Sequence, residues 1–227
     1  MFVQVAGVLD TSELTPLLSL DITHVALPLG PGVREQDLSL EKAGEVFANL
    51  PRSIAGVLIT YLRDAAEISE FCLRLGCGWV QLHGEISPAE ARRLSVMRPD
   101  LKIIKSLVVG KKKEEDLFKE CRKFSAHCHM FITDTYDPGT GACGATGRVH
   151  DWEVSRSIVR ESPRPVILAG GLDPENVYEA VMSVAPAGVD AHTGLEDSRG
   201  RKDPEKVREF VREALRAEQN LLQGKNW

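Results

Sequence analysis

An acidic residue that ends an apolar run and opens a glycine-rich loop is a candidate proton donor. Residues 129–152, HMFITDTYDPGTGACGATGRVHDW, present one in Asp134. Apolar surroundings disfavour a carboxylate, raise its pKa and keep its proton available near neutral pH, which is what a general acid needs. The same placement suits an aspartate that caps a strand, so Asp134 alone leaves both readings open, and the loop after it is either a cover for a ligand or a plain surface loop. Two other stretches are suited to an anion. In AGGLDPENV (169–177), Gly170 and Gly171 leave backbone amides bare ahead of a helix start; in HTGLEDSRGRKD (192–203), Thr193 and Gly194 offer more N–H groups. Each is a glycine turn by itself, and together they describe a phosphate cradle. His83, closing QLHG, either faces the same place or bonds a neighbouring carbonyl. Arg34, in GPGVREQDLS, either grips a carboxylate with two N–H groups or lies in solvent.

Side chains this far apart in sequence meet only if the fold gathers their loops at one end. Eight short apolar, β-branched runs recur, at 2–8, 22–28, 53–60, 78–83, 101–109, 129–134, 164–170 and 187–192. Segments with helical spacing separate them, at 39–50, 65–76, 87–97, 114–124, 152–161, 173–184 and 203–219; the first connection, 10–20, carries a helix that Pro16 shortens or kinks. Ser87-Pro88, Asp173-Pro174 and Asp203-Pro204 each pair an N-cap with a first-turn proline. Strict alternation predicts a parallel sheet, and eight units in 227 residues favour an α/β protein built as a single-domain (β/α)₈ TIM barrel over 1–227. In that architecture the loops after the strands build the active site, and the candidates above all follow strands.

Composition narrows the partners. Hydrophobic residues make up 43% and charged residues 27%, and the net charge of −5 gives no electrostatic reason to expect nucleic acid or a membrane surface. MFVQVAGVLDTSE lacks the basic start and long apolar run of a leader, and a cytoplasmic location is expected. Cys72, Cys77, Cys121, Cys128 and Cys143 are odd in number and lack a C-x-x-C pair, the pattern of reduced thiols. HCH at 127–129 is read as the entry to a strand rather than a metal site, because a period of two sends neighbours to opposite faces. No metal is expected.

Several segments together resemble the phosphoribosylanthranilate isomerase family of tryptophan biosynthesis: VQLHGE (80–85), DT (134–135) followed by GATGRVHDW (144–152), LAGGLDPENV (168–177) and GVDAHTGLEDSRGRKDPEKVREFV (188–211). The resemblance implies an Amadori rearrangement of a small phosphorylated sugar, N-(5-phosphoribosyl)anthranilate, without a cofactor, by a monomer or a homodimer. It makes Asp134 the general acid that opens the ribose ring, assigns substrate contacts to Arg34, His83 and Asp190, and gives the phosphate to Gly170, Gly171, Thr193 and Gly194. The family's anthranilate-binding Arg falls on Arg34 or on Gln36, depending on which flank is matched. Its general base is a Cys near the end of the first strand, and the matching residue in VQVAGV is Ala6. Alanine accepts no proton. Cys143, in the glycine-rich loop, and His192, where the family has a small hydroxyl residue, are the candidate replacement bases. The alternatives are a phosphosugar-binding paralogue with impaired or repurposed catalysis, or an isomerase of another phosphorylated aminosugar.

Overall fold

The computed structural model describes residues 1–31, 33, 38–137, 139, 142–143 and 151–224. Strands form at all eight apolar runs: β1 Phe2–Ala6, β2 His24–Pro28, β3 Ala55–Thr60, β4 Trp79–Leu82, β5 Lys102–Val109, β6 Met130–Asp137, β8 Val166–Leu168 and β9 Gly188–Ala191. They pair in parallel in the order β5-β4-β3-β2-β1-β9-β8-β6, and β5 pairs with β6 to close the barrel. An additional two-residue strand, β7 Ala142–Cys143, pairs antiparallel with the end of β6, Tyr136 facing Cys143.

Alternation along each strand divides the molecule into two apolar layers. Val3 and Val5 of β1 point outward into the mantle between sheet and helices. Ala6 points inward with Ala26, Val57, Ile104, Ile132, Ile167 and Ala169. Phe2, His24 and Trp79, first residues of their strands, close the floor: Phe2 stacks on His24 at 3.7 Å between ring centroids, and Trp79 meets His24 edge-on at 4.9 Å. Burial without charge partners pushes the His24 imidazole down to about 4, so it sits neutral among the rings.

Helices α1 Thr11–Leu14, α2 Leu40–Ala48, α3 Ala65–Leu75, α4 Pro88–Met97, α5 Glu114–Phe124, α6 Trp152–Glu161, α7 Val177–Val184 and α8 Pro204–Gly224 surround the sheet. Pro16 starts a 3₁₀ turn, Thr15–Ser19, where the first helix ends. Ser87 caps α4 by accepting from the N–H of Glu90, and Asp203 accepts from that of Glu205. The expectation at Asp173 needs correction. Its carboxylate accepts from the N–H groups of Glu175 and Asn176 and so closes a separate turn, while Asn176 stands at the N-cap of α7. His129 is used within the sheet, its Nδ1 accepting from the N–H of Ile103 at 3.0 Å. No helix among the described residues is long and apolar enough to cross a membrane.

Candidate active site

At the C-terminal end of the barrel the inward positions turn polar. Asp134 lies near the end of β6 and is 9% exposed; the N–H of Thr135 donates to its Oδ1 at 2.8 Å. Burial pushes its pKa up to about 7, against the opposing pull of that N–H and of His192. His83 is buried just past β4, its Nδ1 3.1 Å from Ser106 Oγ and 3.7 Å from Asp134 Oδ2, with Tyr61 edge-on to its ring. Asp190, on β9, is also raised to about 7 by burial; a hydrogen bond from Gln4 opposes the shift and the negative charge of Asp134 adds to it.

A continuous run of polar side chains links these two carboxyls across the interior. Gln4 Nε2 donates to Asp190 Oδ1 at 2.9 Å and to Gln81 Oε1 at 3.2 Å. Gln81 Nε2 donates to Ser106 Oγ at 3.2 Å, and Ser106 Oγ bonds His83, which faces Asp134. Gln4, Gln81, Ser106 and Asp190 are inward residues of four different strands, and His83 follows the strand that carries Gln81, so strand register sets the run that ends facing the acid. Buried polar groups that satisfy each other fix geometry; among the described residues the buried Gln4 Oε1 finds no such partner.

The two glycine loops meet as well. Gly170 and Gly171 both have left-handed φ, 99° and 68°, and Asn176 Nδ2 donates to the carbonyl of Gly171 at 2.9 Å. A Cβ on Gly194 would stand 2.1 Å from the Leu172 carbonyl, so only glycine lets the loop after β9 lie against the loop after β8. The cleft between them is lined by Thr193 and Gly194 together with Asp173, Glu175, Glu205, Glu209 and Lys206, an acidic set that disfavours a phosphate on that side.

The loop after β9 is clasped to the loop after β1. Arg201 bonds both carboxylate oxygens of Asp10, at 2.8 and 2.9 Å, and holds the Asp10 carboxyl well below the usual range. Glu13 accepts from the N–H groups of Leu9 and Lys202. His192 therefore lies beside Gly7, its Nε2 3.3 Å from Glu196 Oε1. Lys202, buried, is 2.6 Å from the same oxygen. Burial opposes ionisation of Glu196, but the bonds from His192 and Lys202 outweigh it and bring its pKa down to about 2.

The structure thus brings Ala6, His83, Asp134, Asp190 and His192 to one end of the barrel, with Gly170, Gly171, Thr193 and Gly194 in the two loops at the same end. Arg34 lies outside the described residues, as does the stretch 144–150. For Cys143 the backbone pairing with Tyr136 is described.

The sequence and the fold have known counterparts. The family model for N-(5'-phosphoribosyl)anthranilate isomerase matches residues 7–213. The chain belongs to that family. N-(5'-phosphoribosyl)anthranilate isomerase 2 of Methanosarcina mazei is 44% identical over 173 residues, 76% of this chain and 75% of the relative. The isomerase of Desulforudis audaxviator is 32% identical over 215 residues, 95% of this chain and 98% of its own. The phosphoribosylanthranilate isomerase structure from Pyrococcus furiosus superposes with a TM-score of 0.77 at 28% identity, covering 95% of this chain and 99% of that one.

Five residues at this phosphoribosylanthranilate isomerase-like site escaped the sequence reading: Gln4, Gln81, Ser106, Glu196 and Lys202. Gln4, Gln81 and Ser106 occupy inward positions in otherwise apolar strands, a polar residue where alternation calls for an apolar one, and that was the available signal. Glu196 and Lys202 stand in a charged loop and carry no such mark.

Proposed function

We propose that the protein catalyses the Amadori rearrangement of N-(5-phosphoribosyl)anthranilate to 1-(o-carboxyphenylamino)-1-deoxyribulose 5-phosphate at the C-terminal end of its barrel, without a cofactor. Asp134 carries the reading: a carboxyl pushed to about 7 by burial holds a transferable proton at neutral pH, at a strand end in a chain of this family. Its proton goes to the ribose ring oxygen. The C1–O bond breaks and the nitrogen lone pair closes a C1=N iminium. Removal of the C2 proton then leaves a pair that forms C1=C2 and neutralises the nitrogen, and the enolamine becomes the ketone as C1 gains a proton and the C2 hydroxyl loses one. The aldose carbon is reduced and its neighbour oxidised within one molecule, so no outside electron carrier enters.

In this reading Gly170, Gly171, Thr193 and Gly194 hold the phosphate through backbone N–H groups. His83 and Asp190 meet the sugar, and Arg34 takes the anthranilate carboxylate, an assignment that rests on the resemblance alone. Ala6 occupies the place of the family's proton-abstracting Cys. The barrel acts as one unit over residues 1–227, as a monomer or a homodimer.

The test follows the fluorescence of phosphoribosylanthranilate with purified protein. Turnover is expected, and Asp134→Asn lowers kcat by ~10²–10⁴-fold. A natural chain that binds a product analogue without turning substrate over would be a phosphosugar-binding paralogue, and the isomerase reading would be wrong.

A further inference from the structure

Residue 6 offers a methyl group at the end of β1, and a methyl group has no lone pair for the C2 proton. The next residue along, Gly7, lies against the side chain of His192, the residue that follows β9. A Cβ on Gly7 would stand 2.1 Å from His192 Nε2, 2.6 Å from its Cδ2 and 2.7 Å from its Cε1, so the imidazole lies over the backbone next to Ala6. The ring is partly open, with 23% of the side chain exposed.

Its orientation is set by a chain of partners. Nε2 is 3.3 Å from Glu196 Oε1. The fully buried Lys202 ammonium is 2.6 Å from that oxygen and also donates to the His192 carbonyl at 3.1 Å. Hydrogen-bonded Lys202 keeps Glu196 ionised, and an ionised carboxylate only accepts. In the neutral imidazole this contact places the proton on Nε2 and the lone pair on Nδ1. A histidine oriented by a carboxylate is a recurring general base. Asp134, near enough for a charge on His192 to act on it, belongs to the same cluster as the acid.

We propose that His192 removes the C2 proton through Nδ1, in place of the side chain missing at residue 6, with Glu196 as its positioning residue. The inference rests on the isomerase reading and names the base that reading lacks. The C2–H bond breaks, the proton goes to Nδ1, and the C–H pair becomes C1=C2 while the iminium π pair returns to nitrogen. The imidazolium then delivers a proton to C1 as the C2 hydroxyl gives its own to solvent, which returns His192 to its starting form.

The natural chain, His192→Ala, His192→Ala with Ala6→Cys, and Glu196→Gln are assayed for phosphoribosylanthranilate turnover, with circular dichroism and product-analogue binding as checks on folding. His192→Ala is expected to lose ~10²–10⁴-fold in kcat with KM little changed. Added imidazole restores turnover in proportion to its concentration, and the second-site Cys restores it without imidazole. Glu196→Gln keeps an acceptor for Nε2 but loses the charge; it lowers kcat without moving KM and enlarges the isotope effect seen with substrate deuterated at C2. A His192→Ala variant as fast as the natural chain would remove His192 and leave the isomerase reading standing. A folded, ligand-binding His192→Ala variant that neither imidazole nor the Cys rescues would do the same. No turnover by the natural chain would remove both.

Discussion

At the scale of single residues, the site depends on carboxyls that the fold makes reluctant to ionise. Asp134 and Asp190 are each raised to about 7, burial being the main cause, and the charge of Asp134 adds to the shift at Asp190. A folded-state pKa above the unfolded value means the folded chain binds the proton more tightly. The stability this gives is full below about pH 4 and is lost as pH rises through about 7. Asp134→Asn is thus expected to gain melting temperature over the natural chain as pH rises from 4 to 8, by several degrees at the upper end, while its turnover collapses. Scans of both proteins across that range check it, and a temperature difference that does not vary with pH would contradict the assigned burial effect. Sequence alone showed that Asp134 ends an apolar run. It could not show that Gln4, Gln81 and Ser106 would lead from Asp190 to the same spot, because a period of two tells which side chains point inward but not which of them meet across a closed barrel.

At the scale of elements, the contacts between loops decide whether the site exists. Gly194 lets the loop after β9 rest on the Leu172 carbonyl, an unyielding backbone atom. Gly194→Ala is expected to raise KM for phosphorylated substrate at least tenfold and to cost ~1–3 kcal/mol of stability, measurable by steady-state kinetics and denaturant melts. The helix ends hold a simpler prediction. Ala185, which follows α7, has φ 52°, the described non-glycine residue in left-handed backbone. Ala185→Gly should therefore stabilise by roughly 1 kcal/mol and leave kcat unchanged. Most element boundaries were legible because caps and breakers mark them, as Ser87 does for α4 and Gly76 for α3. The start of α7 was not: an Asp-Pro pair announces a turn as readily as a helix, and the hydrogen bond between Asn176 Oδ1 and the N–H of Asp173 tips the balance toward a turn.

At the scale of the whole molecule, the barrel has two unlike ends. Alternation of strand and helix made the closed eight-stranded sheet legible, since each unit repeats one pattern of burial. The clasp between the loops after β1 and β9 was not legible, because Asp10, Glu13, Arg201 and Lys202 read as ordinary surface charges until the barrel brings them together. The floor is apolar and aromatic, and His24 is kept neutral within it. Its pKa lies below the unfolded value of 6.5, so the unfolded chain takes up the proton first, and stability falls as pH drops from 6.5 to about 4. His24→Phe should abolish that share of acid sensitivity, seen as a melting temperature that declines less over this range than in the natural chain.

The same floor provides an optical reporter. Trp79 lies edge-on to His24 and Phe2, at the opposite end of the barrel from the mouth. Indole emission overlaps anthranilate absorption, and an anthranilate held at the mouth would lie about one barrel height from Trp79. In a chain whose Trp152 and Trp227 are replaced by Phe, arrival of a product analogue should dim Trp79 by energy transfer and brighten the anthranilate, so occupancy can be watched with no label added and no turnover required.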